Sequence, residues 1–144
     1  MSYIKILVHL VWTTKSRIPF LTDPIRNDII FHIRNNALSK NIYLDHINGY
    51  KDHLHAIISL GNRQTISESM QLIKGESSYW INSLKLTKSK FGWQDDYYGV
   101  SIGMSQLENL RNYIKNQEEH HKVVPLEDEL DILIKEYGLK KMKD

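Results

Sequence analysis

The chain of 144 residues contains no cysteine. That excludes a disulfide framework and any thiolate zinc site, so a metal held here must sit on His, carboxylate or amide ligands. It has no apolar run of membrane-spanning length, and its first residues lack the pattern of a secretory signal. A cytoplasmic protein without a membrane partner is therefore expected. It also has little excess charge of either sign, with a net of +2. The excess is unevenly placed: 15 Lys/Arg face 11 Asp/Glu over residues 1–122, and 4 face 6 over residues 123–144. A mildly basic body with an acidic tail permits a nucleic-acid partner without requiring one. The length suffices for one real core, and a single domain is expected.

What is present is organised around Tyr50-Lys51-Asp52-His53-Leu54-His55-Ala56-Ile57-Ile58-Ser59-Leu60. From Leu54 this reads as an apolar strand, with Gly49 before it and Gly61-Asn62 closing it. Side chains on a strand alternate faces, so His53 and His55 point one way while Leu54, Ala56, Ile58 and Leu60 point into a core. Two imidazoles separated by one inward residue can occupy adjacent positions around a single divalent ion. Two unrelated histidines on a half-exposed strand are the plain alternative.

The chain opens with a period-2 pattern from Tyr3 to Thr14, apolar on both faces, which suits a central strand covered on both sides. His9 shares a face with Lys5 and Thr13, in reach of the histidine strand or as a hydrogen-bonded structural residue. Lys15-Ser16-Arg17 forms a basic turn. Thr22 or Asp23 before Pro24 predicts a helix start, followed by Ile25, Ile29, Ile30, Ile33 and Ala37 at helical spacing to about Lys40. A second strand runs from Ile42 to Asn48. After the histidine strand, Thr65 or Ser67 caps a long helix to about Leu86, with Met70, Ile73, Trp80, Ile81 and Leu84 buried. Within it Gly75-Glu76-Ser77-Ser78 exposes small polar groups beside Lys74. Lys85, Lys88 and Lys90 form a basic cluster, and a fourth strand spans Tyr97 to Ile102. Strand, helix, strand, strand, helix, strand is the split βαβ order of a ferredoxin-like α+β fold, with the first and third strands central.

Ser105 then caps a helix from Gln106 to His121, in which Leu107, Leu110 and Ile114 form the packing stripe. Tyr113 and Gln117, four apart, stack on a neighbouring face. A tyrosine hydroxyl is a poor nucleophile with a pKa of about 10, but it can attack a phosphodiester that a metal polarises. The Gln117 amide oxygen can supply a third ligand. A partly buried packing tyrosine is the alternative. A last amphipathic helix is expected from Leu126 to Tyr137, carrying Leu126, Leu130, Leu133 and Ile134 and covering apolar surface.

The chain resembles the single-tyrosine HUH transposases, small transposases of insertion sequences that move as single-stranded DNA, and their repeat-associated relatives. The resemblance rests on His9-Leu10-Val11-Trp12-Thr13-Thr14-Lys15 with Pro19-Phe20-Leu21, Asp52-His53-Leu54-His55, and Lys74-Gly75-Glu76-Ser77-Ser78. It continues through Trp93-Gln94, Tyr97 to Ser101, and Tyr113-Ile114-Lys115-Asn116-Gln117-Glu118-Glu119-His120-His121. Together these cover residues 3–122 in order, leaving 123–144 as a helical tail of the same single domain.

The resemblance implies that His53, His55 and Gln117 hold Mg²⁺ or Mn²⁺ and that Tyr113 is the nucleophile. It implies cleavage and rejoining of single-stranded DNA with hairpin ends through a covalent 5′-phosphotyrosine. Lys15, Arg17, Lys74, Ser77, Lys85 and Lys88 are the expected DNA contacts. The glycine in Ser101-Ile102-Gly103-Met104-Ser105 can redirect the tyrosine helix onto its own sheet or a partner's. The insertion-sequence members imply a homodimer acting in trans, which is the expectation here, and the repeat-associated members a monomer. His120 and His121 lie past the matching motif and carry no expected role. Two other classes fit less of the chain. One is a replication initiator or relaxase that only nicks. The other is a non-catalytic single-strand binder using Trp93, Tyr97 and Tyr98 as stacking platforms, which leaves the histidine pair unexplained.

Overall fold

The computed structural model describes residues 1–142. Strand β1 (Leu7–Thr13) leads through a short 3-10 turn at Lys15–Arg17 to helix α1 (Ile25–Ser39). Strands β2 (Tyr43–Gly49) and β3 (His53–Ser59) form a hairpin, and α2 (Ile66–Ser83) crosses back to β4 (Tyr98–Ile102). A second 3-10 turn at Met104–Gln106 precedes α3 (Leu107–Lys115), α4 (Gln117–His121) and α5 (Leu126–Tyr137). The sheet has the order β2-β3-β1-β4, every pair antiparallel. The ferredoxin-like α+β architecture and its central first and third strands agree with the sequence pattern.

Alternation splits the sheet into two faces with different work. Val8, Leu10 and Trp12 of β1 join Leu54, Ala56 and Ile58 of β3 in the main core, against Ile29, Ile33, Met70, Ile73 and Ile81 of α1 and α2. On the opposite face, Leu7 and Ile57 pack with Leu107 and Ile114 of α3, while Val11 packs with Leu126 and Leu130 of α5. Full burial of an aliphatic side chain such as Ile114 contributes about 1.5–3 kcal/mol, so each C-terminal helix is anchored by few residues.

Several local expectations differ from the structure. The first strand begins at Leu7, and Tyr3 to Ile6 lie exposed outside the sheet. Neither Thr22 nor Asp23 caps α1; the Asp23 carboxylate instead accepts from Arg26 at 3.2 Å. Thr65 does cap α2, accepting from the Glu68 backbone N–H at 3.1 Å. The single helix expected over Gln106–His121 is interrupted at Asn116, whose φ of −99° and ψ of 23° end α3 and open α4. Helix α5 spans the expected residues and ends on Gly138 at φ 61°, a left-handed conformation that glycine adopts without cost. Among the described residues, no helix is long and apolar enough to cross a membrane.

Candidate active site

The histidine pair is set by the β2–β3 hairpin. Gly49 ends β2 where a Cβ would meet the His53 carbonyl oxygen at 2.1 Å, so only glycine fits the close return of the chain. Beyond this turn His53 and His55 are both wholly buried, their rings 5.2 Å apart on the face covered by α3 to α5.

Each imidazole is held from behind. His53 Nδ1 lies 2.9 Å from Asp52 Oδ1, and the carboxylate accepts the Nδ1 proton. On its other side, His53 Nε2 lies 3.1 Å from Gln117 Oε1, within hydrogen-bonding distance. The Gln117 amide N–H₂ donates to the Tyr113 carbonyl at 3.4 Å, which turns Oε1 towards His53. His55 Nδ1 lies 2.9 Å from His9 Nε2, with the rings stacked at 5.1 Å. His9 is thus the backing partner of His55. Burial, reinforced by His55, lowers its pKa to about 3. Burial likewise lowers His55 to about 4. Both imidazoles are neutral near pH 7, and a neutral imidazole is the form that binds a metal.

The outward nitrogen of His55 meets the tail. Glu129 of α5 is 4% exposed and places Oε1 2.5 Å from His55 Nε2 and Oε2 2.5 Å from His121 Nε2. His120 Nε2 lies 3.1 Å from Glu129 Oε2. Despite these short contacts, His55 Nε2, His121 Nε2 and both Glu129 oxygens are buried without a hydrogen bond of acceptable geometry. Burial disfavours an ionised Glu129, but His121 and His55 outweigh it and hold the carboxyl well below the usual range.

Tyr113 stands edge-on to His55, with ring centroids 5.6 Å apart, and its hydroxyl is 3.4 Å from His120 Nε2. Burial first, and then the Glu129 charge, push its phenol above the ordinary value. Its helix is fixed by β2. A bulge leaves Asp45 between Leu44 and His46 without a partner in β3, re-aiming the side chain as bulges do. Asp45 receives a bidentate pair from Arg111, at 2.9 Å from Nε and 2.7 Å from Nη2. The Asn48 amide donates to the last α3 carbonyl, that of Lys115, at 3.0 Å.

Of the expected residues, His53, His55, Tyr113 and Gln117 come together, and they do so within one chain. Within this chain α3 has its apolar stripe and both polar anchors on its own sheet. His9, Asp52, His120, His121 and Glu129 join them. A sequence signal for Glu129 exists: it falls inside the apolar stripe of α5, three residues after Leu126 and four before Leu133.

The expected DNA contacts scatter. Lys15 and Arg17 are exposed beside the site, with Arg17 paired to Glu127 at 3.2 Å. Together with Thr13, Gln94, Asp96, Tyr98, Leu130 and Asp131, Arg17 lines an open cleft of about 580 Å³. Lys74 donates to the Asp95 carbonyl, and Lys85 and Lys88 lie in the loop after α2, lining a separate depression. Ser77 is wrongly placed in that set. It is fully buried, donates to the Ile73 carbonyl at 2.6 Å and accepts from the Trp93 indole at 2.9 Å. The same contacts bury Trp93 and remove it as a stacking platform.

Comparison with known proteins bears on this site. A family profile described as "Transposase IS200 like" matches residues 2–117. No curated protein matches the chain. One similar solved structure is a Deinococcus radiodurans R1 protein assigned as a transposase, with TM-score 0.66 and 21% identity over 81% of this chain and 93% of that one. Another is a REP-associated tyrosine transposase bound to a REP hairpin, with TM-score 0.64 and 16% identity over 86% of this chain and 73% of that one. With most of its length matched by the profile, and a ferredoxin-like sheet shared with both structures, the chain belongs to the IS200-like DNA transposases.

Proposed function

We propose that the protein is a single-tyrosine, single-domain transposase, with core 3–122 and tail 123–144, that cleaves and rejoins single-stranded DNA at hairpin-bearing ends. The observation that carries this function is the convergence of Tyr113 and Gln117 on two wholly buried histidines. The hairpin is suggested by the substrate of the REP-associated relative.

The donor set fits a divalent cation. At His53 the imidazole Nε2 and the Gln117 amide oxygen, both able to ligate, lie 3.1 Å apart, and around His55 four buried polar atoms lack hydrogen bonds. The hydrated, oxygen-rich coordination that Mg²⁺ keeps is not what two imidazoles offer, so Mn²⁺, a transition metal, is the better fit of the two expected ions. His53, His55 and Gln117 would hold the ion, which when bound polarises the scissile phosphate.

The chain's own groups do the rest. The Tyr113 hydroxyl oxygen attacks phosphorus, its proton passing to His120 Nε2, the base at the edge of hydrogen-bonding reach. The bond from phosphorus to the 3′ oxygen breaks, and the leaving oxygen takes a proton from solvent to become the 3′-OH, while His120 returns its proton to solvent. The 5′-phosphotyrosine keeps the energy of the broken phosphodiester, so a 3′-OH attacking it rejoins strands without ATP. Reversibility makes the reaction transposition rather than hydrolysis.

Tyr113→Phe removes only the hydroxyl and should abolish the covalent adduct on a denaturing gel while hairpin binding persists. His53→Ala should abolish metal-dependent cleavage. An adduct persisting in Tyr113→Phe would assign the nucleophile to another tyrosine. A homodimer exchanging α3 through the Gly103 connection is the proposed assembly, and mixing separately inactive variants tests it.

A further inference from the structure

We infer that the tail is a metal-dependent latch: His121 and Glu129 complete the donor set begun by His53 and His55, and the ion docks α5 on the sheet. The inference rests on the metal-holding role proposed for His53 and His55. One donor atom from each of His53, His55, His121 and Glu129 lies within 4.8 Å of every other. Three imidazole nitrogens and a carboxylate oxygen form a donor set suited to a borderline divalent ion.

Two observations separate this cluster from a chance gathering of polar groups. The first is orientation. His55 Nε2, His121 Nε2 and both Glu129 oxygens are buried and in short contact, yet none has hydrogen-bond geometry. Buried polar atoms nearly always find a partner, and atoms that crowd together without bonding are arranged as ligands of a common centre. The second is surroundings. The Glu129 side chain is 4% exposed and meets the imidazoles of His55, His120 and His121, with no Lys or Arg paired to it among the described residues. A buried carboxyl ringed by imidazole nitrogens has the ligand types of a divalent-metal site.

The rest of α5 is thinly held. Only Leu126 and Leu130 are buried against Val11, with Tyr98 and Leu133 partly so. The Arg17–Glu127 pair, 40% and 79% exposed, is of the surface kind that adds little. Docking of α5 therefore depends on the Glu129 end, and occupancy of the ion and docking of the helix are linked: each strengthens the other.

The test uses the full chain and Mn²⁺ as probe. Calorimetric titration should show Glu129→Gln, which keeps the shape but loses the charge, binding Mn²⁺ at least about tenfold more weakly than wild type. Hydrogen exchange should show Mn²⁺ slowing the α5 amides in wild type and not in Glu129→Gln. His121→Asn serves as a second variant, with melting curves confirming that both fold. Wild-type Mn²⁺ affinity in both variants, or α5 exchange indifferent to Mn²⁺ in the wild type, overturns the latch. His53→Ala is the control for the underlying site. If it too binds Mn²⁺ like wild type, the ion is elsewhere and the proposed function loses its metal centre; if it alone loses Mn²⁺, only the latch fails.

Discussion

His9 illustrates how a residue far from any substrate governs a site. It sits on β1 opposite Ile57, and its Nε2 backs His55 Nδ1 at 2.9 Å. Neutral His55 must carry its proton on Nδ1 to present Nε2 to an ion, and neutral His9, with its own proton on Nδ1, accepts it. Groups that fix the tautomer of a ligating histidine typically matter 10–100-fold in metal affinity or activity. His9→Ala should therefore weaken Mn²⁺ binding by about that factor, measured by titration, while His9→Gln, which keeps an acceptor, should recover part of it. Equal loss in both variants would mean that His9 only fills space. Alternation along β1 put His9 on the face of the two histidines, but its partnership with His55 depends on strand register, which no periodicity reveals. The apolar stripe of α5 marks Glu129 as facing inward, but its partners are likewise not legible. Only the sheet beneath α5 gives it imidazole neighbours.

Gly49 and Asp45 show how β2 serves as the template for both halves of the site. Gly49→Ala would force a Cβ against the His53 backbone at 2.1 Å and against Leu54 Cδ2 at 2.7 Å. Overpacking of this kind costs about 1–3 kcal/mol, so the melting temperature should fall by several degrees and the histidine pair should be displaced with it. Asp45 anchors α3 instead. Hydrogen bonding from Arg111, aided by His46, lowers its carboxyl below the ordinary value of 3.8. A carboxyl lowered on folding stabilises the native state above its unfolded pKa, and this contribution is lost as pH falls through the lower folded value. Wild type should thus lose thermal stability more steeply below about pH 4 than Arg111→Ala does. Parallel melts from pH 6 to pH 3 would check this, and identical slopes would refute it. The strand and helix order was legible because apolar residues recur at clear periods of two and about 3.6. The break at Asn116 was not legible, since Gln106 to His121 contains neither proline nor glycine and the stop is imposed by tertiary packing.

The molecule as a whole brings nucleophile and histidines together in one chain, and the same connection through Gly103 could dock α3 on a second copy. Mixing His53→Ala/His55→Ala protein with Tyr113→Phe protein separates the two assemblies. Sites built in cis leave the mixture inactive, whereas exchange creates one intact site per mixed pair and restores part of the cleavage. A molecular mass for the monomer alongside an inactive mixture would retire the exchanged dimer. The division of the sheet into two faces has one more consequence. Even-numbered residues of β1 and β3 build the main core, while odd-numbered ones carry His9, His53 and His55. Damage to the chemistry therefore falls on positions that the main core does not need. A copy that has lost His53, His55 or the Tyr113 hydroxyl keeps its α1 and α2 packing and its basic body. On the proposed function, such decayed copies persist as folded competitors for the same DNA ends, so a lineage that accumulates them carries its own brake on further movement.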